Sequence, residues 1–207
     1  IAFPQKILRI PLFVVGFLFL FFLVMFPFFP QKSLSHLLIV FCVIIASFWI
    51  FFPELVHRFG LSVIHLRSGD YLSLLVQIVL FQFLHGWWFH LFLNSYFLYS
   101  AGPTLEARMS PDRYTWFFIT STIFVAISLL IFAPQSLTVG ISGFCMAILS
   151  YLWIDLYTTH HPAASQILVM LIINVGIGIM PGISLVGHLS GAIWWLIWWQ
   201  IFRNWRK

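Results

Sequence analysis

Hydrophobic positions in this chain do not alternate with polar ones at either the helical or the strand period over most of its length; they run on. From Tyr71 to Gly102 there is no Lys, Arg, Asp or Glu, and comparable uncharged runs recur to the C-terminus. A bilayer core of roughly 30 Å is crossed by about 20 apolar residues of helix. The pattern therefore predicts membrane-crossing helices near residues 10–29, 34–52, 85–102, 114–133, 137–156, 163–180 and 184–202. The first is the least regular, since Pro27 lies inside it and only "PQKS" separates it from the next. A cleaved signal peptide is a poorer reading of residues 1–29, because Phe26 to Pro30 offers no small-residue cleavage site.

Composition agrees with the pattern. Of 207 residues, 62% are hydrophobic and 7% charged, too little polar surface to cover a water-soluble globule. The expected fold class is all-α: a polytopic transmembrane helix bundle with an extra hydrophobic segment over residues 1–33, a six-helix core over 34–203 and a basic tail over 204–207. The net charge of +5 is spread through loops and termini, which suits anionic lipid headgroups and gives no patch for nucleic acid. Cys42 and Cys145 both fall in predicted spans and suggest neither a disulfide framework nor a metal site. Placing Arg203, Arg206 and Lys207 in the cytoplasm also puts Lys32, Arg108 and Arg113 there, with Arg58 and Arg67 outside.

Polar residues inside such spans need a reason, because an unsatisfied polar group in hydrocarbon is costly. The stretch "FLHGWWFHLFLN" carries His85, His90 and Asn94. His90 and Asn94 are four apart, so they share a helix face. The spans beginning near 85, 137 and 184 run in one direction, each pair being separated by a single crossing. Ser142 in "VGISGF" and His188 in "VGHLSGA" stand near the starts of the second and third of these. His90, Asn94, Ser142 and His188 thus lie at similar depth below one membrane face, and Gly187 with Gly191 allows close helix approach.

A serine touching a histidine supplies a nucleophile and a general base. A helix start adds unpaired N–H groups that suit an oxyanion, and Asn94 and His90 are candidate additional donors, worth roughly 3–4 kcal/mol each where such donors have been measured. Asp155 lies on the serine's own helix about 20 Å from it, and Glu106 is similarly far from Asn94, so a Ser142/His188 dyad is expected in place of a triad. Taken singly, each residue has a structural reading. A membrane serine ordinarily bonds a carbonyl one turn back, and His188, His90 and Asn94 can serve as interhelical hydrogen bonders. Cys145 reads as packing, His85 as shaping the entry to its helix, and His160 and His161 as solvated. Glu106 and Arg108 form a structural ion pair or bond a loop backbone, and Asp155 reaches toward water.

These residues resemble the rhomboid intramembrane serine proteases. The family's spaced pair of histidines and asparagine is met by His85, His90 and Asn94, followed by Gly102, Glu106 and Arg108. Its G-x-S-G motif is met by Gly140 to Gly143, and its histidine-x-x-glycine by His188 and Gly191. The resemblance covers roughly residues 34–203. It implies hydrolysis of peptide bonds in or beside transmembrane segments of substrate proteins, Ser142 as nucleophile, His188 as base and an oxyanion site from His90, Asn94 and the Ser142 backbone. No cofactor or metal is implied, and the expected partners are transmembrane substrates; the charge pattern adds membrane lipids as partners, and the Lys and Arg placement predicts an active site opening to the non-cytoplasmic side. Loop 53–84 would be the family's membrane-embedded first loop.

Three departures stand out. Met146 occupies the place of an aromatic residue expected to pack on the imidazole, although a thioether can still make such contact. The first loop lacks a Trp-Arg pair, having Leu72 and Ser73 there, and runs about one helical turn long. Trp195 replaces a glycine four residues past Gly191. These departures motivate a second reading, a rhomboid-like pseudoprotease that holds membrane-protein clients. A proton-coupled transporter using His90 and His188 would need internal repeats, which are not visible. No His-Glu pair for a zinc site is present, and the spans offer only Asp155 where an aspartyl mechanism needs two close carboxylates.

Overall fold

The computed structural model describes residues 33–202. The predicted crossing at 10–29, and the charges at Lys6, Arg9, Lys32, Arg203, Arg206 and Lys207, lie outside the described residues. The described part is helical apart from one isolated bridge, Leu61 with Thr138. Its long helices fall where the hydrophobic runs place them: α1 (Leu34–Phe51), α5 (Trp88–Glu106), α6 (Pro111–Phe132), α7 (Ser142–Thr158), α8 (Ala164–Ile177) and α9 (Leu185–Phe202). The segment between α1 and α5, expected as a loop, holds α2 (Glu54–Phe59), α3 (Ile64–Ser68), α4 (Tyr71–Leu80) and a 3₁₀ turn, Phe81–Phe83.

Among the described residues, α6 is long and apolar enough by itself to cross a membrane, and the α4 to α5 stretch qualifies only as a pair bent by 78°. Segments of α1, α8 and α9 are apolar but shorter. The sides these helices turn outward are as greasy as those they turn in. On α5, Leu91, Asn94, Leu98, Gly102 and Leu105 are buried at helical spacing, whereas Phe89, Phe92, Tyr96 and Tyr99 on the other side are exposed. On α6, Tyr114, Phe117, Ser121 and Val125 face in, and Trp116, Ile119, Ile123 and Ile127 face out. An outer surface of this kind fits hydrocarbon and not water.

The second helix of the predicted core starts later than expected, at Trp88 and not at residue 85. Trp87 is extended (φ −156°, ψ 162°), which sharply separates the 3₁₀ turn from α5 and leaves His85 in the corner. The helix carrying Ser142 also starts later than its hydrophobic run, because residues ahead of it are held in loop. Leu61 and Thr138 exchange both backbone bonds, Gly140 N–H donates to the Phe81 carbonyl at 2.9 Å, and Gly140 has φ 114°, a conformation L side chains rarely adopt.

Polar groups tie the intervening segment down. Buried Gln77 donates to the Arg58 carbonyl and accepts from Ser62 N–H, and Gln82 accepts from Thr122 of α6 at 2.7 Å. Asp70 caps α4 by accepting from Ser73 N–H and pairs with His65 at 3.3 Å. Hydrogen bonding from Ser73 holds the Asp70 carboxyl below its usual range.

At the other end of the bundle, Glu106 binds the start of α1. Its carboxylate accepts from Ser33 Oγ and Leu34 N–H, both at 2.6 Å, and from the N–H and Oγ of Ser35. An anion on the unpaired N–H groups of a helix start satisfies both their hydrogen bonds and the helix dipole. Of the two expected roles, an ion pair with Arg108 or bonds to backbone, Glu106 takes the second; Arg108 reaches Asp155 of α7 instead, so Asp155 is ion-paired and does not simply extend to water. Gly102 lets α1 and α5 close, since a Cβ there would stand 2.4 Å from Ser35 Oγ.

Candidate active site

The α7/α9 crossing is built on two glycines. A Cβ on Gly191 would stand 2.0 Å from the Gly143 carbonyl oxygen, and one on Gly143 would meet Val125 of α6 at 2.9 Å and the Gly187 carbonyl at 3.3 Å. Only hydrogen fits between backbones this close. Ser142 immediately precedes Gly143 and His188 immediately follows Gly187, so the same crossing sets the serine's turn beside the histidine's. Among the described residues no hydrogen bond joins Ser142 Oγ to His188.

Ser142 is the first residue of α7 and is half-buried. Its own N–H and those of the next residues point out of a helix start, where no intrahelical acceptor exists. His188 sits one turn into α9, whose start is capped by Ser184: its Oγ accepts from Gly187 N–H at 3.1 Å. The imidazole is 7% exposed, and its Nδ1 lies 2.7 Å from the backbone carbonyl of Asn174 on α8. A carbonyl only accepts, so Nδ1 carries the proton and Nε2 keeps a free lone pair.

α5 supplies the other side. A Cβ on Gly140 would stand 2.6 Å from His90 Cε1, 2.9 Å from its Nε2 and 3.6 Å from Asn94 Nδ2. Both side chains therefore close over the loop that leads into Ser142, as their four-residue spacing predicts.

His85 is 1% exposed. Its Nδ1 lies 3.3 Å from the Phe83 carbonyl and its Nε2 lies 3.1 Å from Asn94 Nδ2. Since Nδ1–H must donate to the carbonyl, Nε2 accepts from Asn94, which fixes the amide with its nitrogen toward the corner and Gly140. His85 and His90 also meet edge to face at 5.0 Å, and Trp87 stands beside His90 at 6.3 Å. His85 therefore does more than shape the helix entry, since it fastens Asn94.

Met146 is buried one turn below Ser142, in the core with Cys145. Trp195 reshapes the lower crossing without opening it: its ring packs on Tyr151 at 4.0 Å, and Ser150 Oγ of α7 donates to the Ala192 carbonyl of α9 at 2.8 Å. Asp155 and Arg108 are engaged with one another away from the site, and His160 and His161 are exposed. The Asn174 carbonyl was not foreseen from sequence, because a backbone acceptor at a helix end has no residue-type signature.

The described residues form a bundle of outwardly apolar helices in which Ser142 opens α7 and His188 lies one turn into α9, two helices that cross at Gly143 and Gly191. Residues 73–204 match the Rhomboid domain. The chain belongs to the rhomboid family, whose members are membrane proteins and generally intramembrane serine proteases. A search among curated proteins found no match.

Proposed function

We propose that this chain is an intramembrane serine endopeptidase that cuts peptide bonds in or next to transmembrane segments of other membrane proteins. The observation that carries the reading is the Gly143/Gly191 contact, which sets the Ser142 and His188 turns side by side across otherwise distant sequence.

In this reading Ser142 Oγ attacks the scissile carbonyl while His188 Nε2 takes its proton. The carbonyl oxygen becomes an oxyanion facing the Ser142 N–H at the start of α7, with Asn94 and His90 as further donors. His188 then returns the proton to the departing amine, leaving an acyl-serine. Water, deprotonated by the same imidazole, attacks that ester; the bond to Ser142 Oγ breaks as the imidazolium returns its proton to that oxygen, releasing the second product and restoring the pair. The supporting residues have steric work: Gly140 and Gly143 leave room for His90 and for α9, and His85 orients Asn94. A cleft of about 460 Å³ between α5, α7 and α8 is lined mostly by apolar side chains and runs from Leu93 and Asn174 to Arg108 and Leu156; neither Ser142 nor His188 lines it.

The test is labelling of the purified protein in detergent with a fluorophosphonate, which reacts with an activated serine, beside Ser142→Ala and His188→Ala. Labelling by the parent alone is expected. A folded parent that does not label, while an active serine protease does under the same conditions, refutes the reading. The second reading, a client-holding pseudoprotease, draws on Met146 in place of an aromatic partner for the imidazole. It predicts that silent result together with retained binding of transmembrane clients.

A further inference from the structure

Among the described residues no carboxylate bonds the His188 imidazole, yet its tautomer is fixed. In a continuing α-helix the Asn174 carbonyl would accept from Gly178 N–H. Here Gly178 N–H turns instead to the Val175 carbonyl at 3.0 Å, Ile179 N–H to Gly176 at 3.1 Å and Met180 N–H to Ile177 at 2.9 Å. The last turn of α8 tightens by one residue, and the Asn174 carbonyl is left without its helical donor. It accepts from His188 Nδ1–H at 2.7 Å. The Asn174 side chain takes no part, since its Nδ2 donates back to the Met170 carbonyl.

We infer that the C-terminal end of α8, through the Asn174 backbone carbonyl, takes the place of the acid of a serine-protease triad, orienting His188 and stabilising the imidazolium that forms when it takes the Ser142 proton. The inference rests on the protease reading for its second half only. Two physical terms support it. A carbonyl on Nδ1–H selects the tautomer whose Nε2 can act as base. The end of a helix carries roughly half a negative charge, so α8 offers the developing cation a counter-charge without burying a carboxylate, which in an apolar bundle is expensive. Gly178 secures the arrangement: a Cβ there would stand 2.6 Å from Leu185 Cα and 3.0 Å from Leu185 N, so its missing side chain is what lets the end of α8 approach the start of α9. Asn174 is thus a positioning residue acting through its main chain, and Gly178 is the spacer that holds it there.

The experiment uses the full chain in detergent with ¹⁵N-labelled histidine, the His188 signals being assigned by their loss in His188→Ala. The expected result is the Nδ1–H tautomer in the parent and a mixture of tautomers in Gly178→Ala. The fluorophosphonate rate should fall about three- to tenfold, the worth of one hydrogen bond, and its acid limb should move to lower pH, because an imidazolium that loses its carbonyl partner gives up its proton more easily.

Gly176→Ala, whose Cβ would meet nothing within 4 Å, should leave all three readouts unchanged. Should Gly178→Ala fail to fold, an ester in place of the amide at Val175 weakens the Asn174 carbonyl with every side chain intact and carries the same expectation. An Nε2–H tautomer in the parent, or a tautomer unmoved by both variants, overturns the inference. A fixed Nδ1–H tautomer in a parent that never labels leaves the positioning contact standing and overturns the protease reading instead.

Discussion

The Gly143 carbonyl oxygen and Gly191 are so close that a methyl group on Gly191 would stand 2.0 Å from that oxygen. The obstacle is backbone, which cannot swing aside as a side-chain tip can. Gly191→Ala must therefore push α9 off α7 and carry His188 away from Ser142. The expected cost is about 1–3 kcal/mol, as for overpacked cores, together with loss of fluorophosphonate labelling. Thermal melting in detergent and a labelling gel check both; full labelling in the variant would rule out the crossing as what assembles the pair.

Asn94 and His85 form a chain that ends at the Phe83 carbonyl. Asn94→Ala removes a donor aimed at the Gly140 side of the site, and loss of an oxyanion donor costs about 10²–10³ in kcat. His85→Phe keeps the bulk but frees the Asn94 amide to rotate, so its kcat loss should be smaller, and adding it to Asn94→Ala should change little. Additive losses in that double mutant would show that the two act separately.

Glu106 holds the start of α1 through several hydrogen bonds at once. Glu106→Ala strands the buried Ser33 hydroxyl and the first N–H groups of α1, while Ser35 Oγ keeps its bond to Tyr114; stability should fall by about 2 kcal/mol or somewhat more, given the cap and the charge-assisted bonds involved. The melting temperature should drop while the Ser142 labelling rate of the folded fraction stays near the parent value, because this contact lies at the opposite end of α5 from His90.

Asp155 is the only carboxylate in the predicted spans, and its partner is Arg108. Both side chains are about a third exposed, so screening limits the pair to roughly 1 kcal/mol at most. Asp155→Asn should melt close to the parent and label at the parent rate. A large fall in rate with stability intact would make Asp155 part of the catalytic apparatus, against its position.

Much of this was legible in the chain itself. Uncharged runs of membrane-crossing length located the long helices, since helix content and outward apolarity follow from residue type alone. The four-residue spacing of His90 and Asn94 put them on one face, and both stand over Gly140. Gly191 beside His188 marked a close crossing. Helix starts were less legible: the runs at 85 and 137 read as helix from their first residue, but the Leu61/Thr138 bridge and the Phe81 to Gly140 bond hold the backbone in other conformations there.

Sequence by itself determined the long helices and their order and named the polar residues proposed as the site, because these depend on local composition and spacing. Tertiary structure alone decided the partners. Arg108 stands two residues from Glu106 yet pairs with Asp155, Glu106 turns to the start of α1, and His188 leans on a main-chain carbonyl that no side chain announces. Electrostatic and hydrogen-bond partners are chosen by distance in three dimensions, and a backbone acceptor at a helix end is the same chemical group at every residue of the chain.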